Sequence, residues 1–164
     1  MTTVRDPAAF CEALSPRLVG SLVLFCGDRG MAEELAQEAL ARGLERWDEI
    51  EGMAAPEAWV YRVAFNLARS GFRRRAAERR SLRRLGAAPS VDLPDSATAV
   101  TVRASVAALP PRQRAVIVAR FYVGFSVDEA AAALGCAPGT VRALTHQAMV
   151  RLRASGLGPF EDEV

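Results

Sequence analysis

Between Ser126 and Arg153 the order of capping and breaking residues leaves the backbone little choice. Ser126-Val127-Asp128-Glu129 has the form of a capping box: the Ser hydroxyl takes the amide three residues on, and the Glu carboxylate reaches back to the Ser amide. Ala130, Ala131 and Leu134 are spaced to face inward on the short helix that follows. Gly135 then stands where the chain must turn with positive φ. Pro138 suits the first turn of a second helix, which carries Val141, Leu144, Ala148 and Leu152 on its core side. Two helices joined by a tight Gly-containing turn form a helix-turn-helix, whose second member enters the major groove of DNA. Thr140, Arg142, Ala143, His146, Gln147 and Arg151 are left to face the groove. Arg can bond guanine O6 and N7, Gln can bond adenine, and amides at a helix start can hold phosphate.

The rest of the chain also reads as helix. Ala, Leu, Glu and Arg recur with helical spacing and strand patterns are scarce, which predicts an all-α fold. Asp6-Pro7 opens a helix running toward Cys26-Gly27, with Ser15-Pro16 placed to kink or split it. Asp28 caps a second helix whose apolar side takes in Met31, Leu35, Ala39 and Leu44. Glu51-Gly52-Met53-Ala54-Ala55-Pro56 is a loop, and Pro56 starts a third, long helix with Trp59, Val63 and Leu67 on its apolar side. From Gly86 to Ser96 the composition is that of a linker. Helical spacing resumes near Ala97, Leu109-Pro110-Pro111 interrupts it, and the next helix carries Val116, Ile117, Ala119 and Phe121. Two small helical domains are therefore expected, over 1–85 and 98–158, with a linker at 86–97 and an acidic tail at 159–164. Across so short a linker, partners rather than mutual contacts should set the placement of the domains.

Charge is divided along the chain, although the net charge of the 164 residues is only +2. Acids dominate from Gly27 to Glu57, and Arg dominates from Trp59 to Arg84, where Glu78 is the single acid. Adjacent blocks of opposite sign predict two different partner surfaces. Every basic side chain except His146 is Arg, which fits phosphate and guanine contacts but follows as readily from codon usage in a GC-rich genome. Cys11, Cys26 and Cys136 are widely spaced and odd in number, the pattern of reduced thiols and not of a metal or disulfide framework. With one histidine, no phosphate-binding Gly loop and no nucleophile–base pair in context, the sequence predicts no enzyme, no metal and no cofactor. The start lacks the apolar run of a signal peptide, and Leu18 to Cys26 is too short for a bilayer. A cytoplasmic protein without membrane insertion is expected.

Four segments, in order, resemble the extracytoplasmic-function (ECF) RNA polymerase sigma factors, group IV of the sigma-70 family. Met31-Ala32-Glu33-Glu34-Leu35-Ala36-Gln37-Glu38-Ala39-Leu40 is similar to the segment that docks on the β′ clamp helices of core polymerase. The resemblance makes Glu34, Leu35, Gln37 and Glu38 polymerase contacts. Trp59-Val60-Tyr61-Arg62-Val63-Ala64-Phe65-Asn66-Leu67-Ala68 and the Arg cluster behind it resemble the helix that reads the minus-ten promoter element. That implies DNA-binding roles for Arg62, Asn66, Arg69, Arg73, Arg74 and Arg75, with Asn66 and the Glu51–Pro56 loop forming a pocket for a flipped base. Such a pocket offsets the few kcal/mol of unpairing with contacts that only an extruded base makes.

Leu109-Pro110-Pro111-Arg112-Gln113-Arg114, with Phe125-Ser126 and Leu134-Gly135, resembles the start of the family's region 4, and Gly139-Thr140-Val141-Arg142 resembles the opening of its minus-35 recognition helix. The implied partners are core RNA polymerase, through its β′ clamp helices and β flap, promoter DNA, and an anti-sigma factor as inhibitor. The chain departs from the family where Ala137 replaces a polar N-cap, at Arg142-Ala143-Leu144, and at His146-Gln147, which leaves its minus-35 preference open. Two other readings compete with a working sigma factor: a sigma-like mimic that titrates an anti-sigma factor, and a helix-turn-helix transcriptional regulator. Gln37, Glu38, Asn66 and the Arg cluster, all present, favour the working factor over both.

Overall fold

The structure is a computed structural model that describes residues 6–82 and 97–157. Among the described residues there is no strand, as an all-α fold requires. The first helix, α1 (Pro7–Cys26), starts where the Asp6 carboxylate accepts from the amides of Ala8 and Ala9 at 3.2 and 3.3 Å. It stops at Gly27, whose φ of 73° turns its N–H back to the Val23 carbonyl. Pro16 does not split it. At 20 residues and a mean hydropathy of 1.5, α1 is long and apolar enough to cross a bilayer, against the expectation that no stretch is. That expectation counted only Leu18 to Cys26, whereas the turns before Leu18 add to the helix. Here Leu14, Leu18, Leu22 and Phe25 spend its apolar side on the protein's own core.

In α2 (Arg29–Glu45), capped by Asp28 Oδ1 at 2.7 Å from the Met31 amide, the buried side is Met31, Ala32, Ala36, Ala39 and Gly43. Leu44, expected on that side, is 46 % exposed, and Leu35 is half-buried. Small residues form the seam because α2 approaches its neighbours closely: a Cβ on Gly43 would meet Val60 Cγ2 at 3.3 Å. A short α3 (Trp47–Ile50) buries Ile50 and precedes the loop. Next comes α4 (Pro56–Leu82), which buries Ala58, Val60, Tyr61, Ala64, Phe65 and Ala68, while the expected stripe of Trp59, Val63 and Leu67 is only half-buried. The stripe was read for a helix with one packed face. In the fold α4 packs on two sides, against α1 and α2 and against the C-terminal helices.

The C-terminal half comprises α5 (Ala97–Ala108), α6 (Pro111–Ile117), a π-helical segment (Val118–Tyr122), α7 (Val127–Leu134) and α8 (Pro138–Ala154). In the π segment the Val123 amide bonds the Val118 carbonyl at 2.9 Å, one residue further back than in an α-helix. The extra residue turns Phe121 outward, 48 % exposed, where a regular helix would have continued the inward side with Val116, Ile117 and Ala119. The linker expected at 86–97 lies outside the described residues up to Ala97, and the tail at 159–164 lies outside them entirely.

The two halves do not stand apart. Buried residues of α1, α2 and α4 form one continuous apolar cluster with those of α6, the π segment, α7 and α8. Tyr61 meets Phe125 edge to face at 5.1 Å, and Arg114 Nη1 donates to the Phe25 carbonyl at 2.8 Å. The expectation that partners alone set the placement of the halves is corrected by these contacts. Linker composition reports the chain's freedom between the halves but not the apolar surface each offers the other.

Candidate nucleic-acid and polymerase surfaces

The helix-turn-helix is built as its punctuation dictates. Ser126 Oγ accepts from the Glu129 amide at 3.2 Å, and Glu129 accepts from the Ser126 amide at 2.7 Å. These bonds hold the Glu129 carboxyl below its usual range. Gly135 takes φ 64° and α8 starts on Pro138, with Ala137 at the N-cap making no side-chain bond. Along α8, Val141, Ala148, Met149 and Leu152 are buried and Leu144 is half-buried. Arg142, Ala143, His146, Gln147 and Arg151 are exposed and Thr140 is half-buried, so the groove-facing set shares one open side of the helix. A concavity of about 340 Å³ beside it joins Arg142 and His146 to Arg120 and Arg153. Sequence reasoning passed over these two arginines, whose shared side with Arg142 appears only once the π segment is placed.

On α2, Glu34, Gln37 and Glu38 are exposed, with Glu38 accepting from Arg42 Nε at 2.7 Å. Leu35 packs partly against the core and offers only part of its side chain. Acids in line on one exposed helix suit a basic partner surface.

On α4, Arg62, Asn66, Arg73 and Arg74 are exposed and Arg69 is half-buried; the side chain of Arg75 lies outside the described set. Asn66, Arg69 and Arg73 line a crevice of about 600 Å³, whose opposite wall is Pro111, Arg112, Leu134, Gly135 and Cys136. No residue of the Glu51–Pro56 loop lines that crevice, so the structure does not join the loop to Asn66 there. Tyr61 lies behind this face. Burial pushes its hydroxyl up to about 12; it sits beside Ser21 and Arg17, which oppose the shift, without reaching hydrogen-bond geometry.

The Sigma-70 region 2 family model matches residues 10–78, and the Sigma-70, region 4 model matches residues 100–152. The RNA polymerase sigma-E factor of Streptomyces coelicolor is 36 % identical over 123 residues, covering 74 % of this chain and 70 % of that one. The chain belongs to the ECF RNA polymerase sigma factors. The ECF sigma factor EcfG of Rhodopseudomonas palustris is 30 % identical over 145 residues, 87 % of this chain and 80 % of its own. In fold, the sigma factor RpoE of Bartonella quintana, solved in complex with the anti-sigma factor NepR, matches with a TM-score of 0.78 at 24 % identity, over 90 % of this chain and 94 % of that one. As a sigma factor the protein partners RNA polymerase in starting transcription. In the order of the matches, α1–α4 correspond to region 2 and α5–α8 to region 4.

Proposed function

We propose that this sigma factor docks on the β′ clamp helices of core polymerase through Glu34, Leu35, Gln37 and Glu38, and on the β flap through its C-terminal half. Residues 1–85 act as the polymerase-binding and minus-ten unit and 98–158 as the minus-35 unit. The observation that carries the reading is the pairing of an acidic exposed side on α2 with a basic one on α4, in the same chain as a capped helix-turn-helix. Arg62, Asn66, Arg69, Arg73, Arg74 and Arg75 engage the separated minus-ten strand, where guanidinium groups follow phosphates. Thr140, Arg142, Ala143, His146, Gln147 and Arg151 meet the minus-35 duplex in the major groove. The chain works in the cytoplasm as an initiation factor without catalysis of its own, and an anti-sigma factor restrains it, as the complex containing the Bartonella protein motivates. Run-off transcription with core polymerase tests the whole: discrete promoter-dependent transcripts that need this protein are expected. A chain that binds polymerase or an anti-sigma factor yet yields no transcript on any template would instead be a mimic.

A further inference from the structure

We infer that the protein is self-occluding: in the free chain, region 4 closes over the strand-reading side of α4 while leaving the recognition helix open, and this contact must part before the minus-ten strand can enter. The inference rests on the reading of α4 as the minus-ten helix. Its geometry is independent of that reading. A Cβ on Gly135, at the turn of the helix-turn-helix, would stand 3.6 Å from both Nε and Nη2 of Arg62, so the Arg62 guanidinium lies against that turn. One helical turn on, Asn66 and Arg69 face Arg112, Leu134 and Cys136 across the crevice. The residues proposed to hold DNA thus face the protein's own second half. The exposed side of α8 has no such cover.

The closure is held away from the DNA-facing groups. Tyr61 and Phe125 pack at 5.1 Å with planes at 83°. Arg17 Nη2 donates to the Val123 carbonyl, and Arg114 Nη1 to that of Phe25. Tyr122 lies against Gly20, where a Cβ would collide with its hydroxyl. Apolar contact and two guanidinium–carbonyl bonds favour the closed state. Charge opposes it: the crevice gathers Arg69, Arg73 and Arg112 without a carboxylate in its lining. Phosphates relieve that repulsion, so nucleic acid brought close by polymerase favours the open form. A contact stabilised in one place and opposed in another is suited to switching.

Cys136 on the crevice wall supplies the test. In a full-length Cys11→Ser, Cys26→Ala background, Ser70→Cys places a second thiol on the facing wall, and a short bismaleimide with a cleavable disulfide spacer joins the two. The free chain is expected to cross-link intramolecularly and rapidly. With core polymerase, the locked chain should give at least tenfold less run-off transcript than the released chain, from a promoter selected by the released chain out of a randomised template pool. It should also lose retention of a fluorescent single strand carrying the selected minus-ten sequence, and reductive release should restore both. Negligible cross-linking in the free chain overturns the inference, as does a locked chain that transcribes or holds the strand as well as the released one. A released chain that is itself silent, while still cross-linking, strikes the initiation reading and the inference with it.

Discussion

Gln113 Nε2 donates to Gln147 Oε1 at 3.2 Å, so a side chain proposed to read DNA is anchored to α6 by a residue that is itself buried. The other amide atom, Gln113 Oε1, is buried without a partner. Gln113→Leu therefore removes one hydrogen bond and one unsatisfied acceptor together, and should change stability by no more than about 1 kcal/mol. Gln147 loses its anchor, and binding to minus-35 duplex should weaken by up to roughly 1–3 kcal/mol if Gln147 makes a bidentate base contact. Thermal unfolding and duplex titration read the two effects separately; parallel losses in both would count against the positioning role.

Tyr61→Phe should stabilise the protein by about 1 kcal/mol, because it removes a buried hydroxyl that has no partner. It should also alter the alkaline limb. The folded value is about 12 against an ordinary value of 10.0, so the neutral phenol is favoured in the folded state. Its contribution is complete below pH 10 and is lost as pH rises through 12. Urea unfolding of both proteins across that window checks the sign: wild type should lose stability more steeply than Tyr61→Phe.

Glu38→Arg should weaken core-polymerase binding while keeping the helical fold. Its local cost is small, since the Glu38–Arg42 pair is about half exposed and such i, i+4 pairs contribute roughly 0.3–0.5 kcal/mol. At a charged interface, removal of a buried partner costs about 2–5 kcal/mol and a rim position far less. Circular dichroism and a polymerase titration together give the answer. Unaltered affinity would remove α2 from the docking surface.

Asn66→Ala and Arg142→Ala should separate on a pre-melted template. Asn66 acts only once a base has left the stack, so a bubble over the minus-ten element should rescue much of its defect. Arg142→Ala weakens duplex recognition upstream by roughly 1–3 kcal/mol if its contact is bidentate, and a bubble supplies nothing there. Equal rescue of the two variants would dissolve the assigned division of labour.

The parts of this fold legible in the sequence are those set by neighbours in sequence. Ser126 with Glu129, Gly135, Asp6 with Pro7, and Asp28 all act within a few residues, and each forms the cap read from it. The exposed residues of α8 were legible for the same reason, as the complement of its apolar spacing. What lay hidden depends on distant surfaces. Tyr61 and Phe65 are fully buried because α4 has a second partner more than fifty positions away, and helical period alone does not reveal a second packed side. Leu44 and Phe121 were misplaced for related reasons: one lies on a helix whose seam is made of Ala and Gly, the other beyond a shift of hydrogen-bond register.

That register shift sets a rotational phase. An α-helix advances by about 100° per residue, and a single π turn carries one residue more than the α-helical path needs. Shortening Val118–Tyr122 by one residue would let the segment relax to α geometry and swing everything after it by about that angle. Phe125 would leave Tyr61, Gly135 would leave Arg62, and the recognition helix would keep its own shape while pointing elsewhere. The segment is thus a one-residue spacer through which sequence length, with no change in side-chain chemistry, decides how the two promoter-binding halves are aimed.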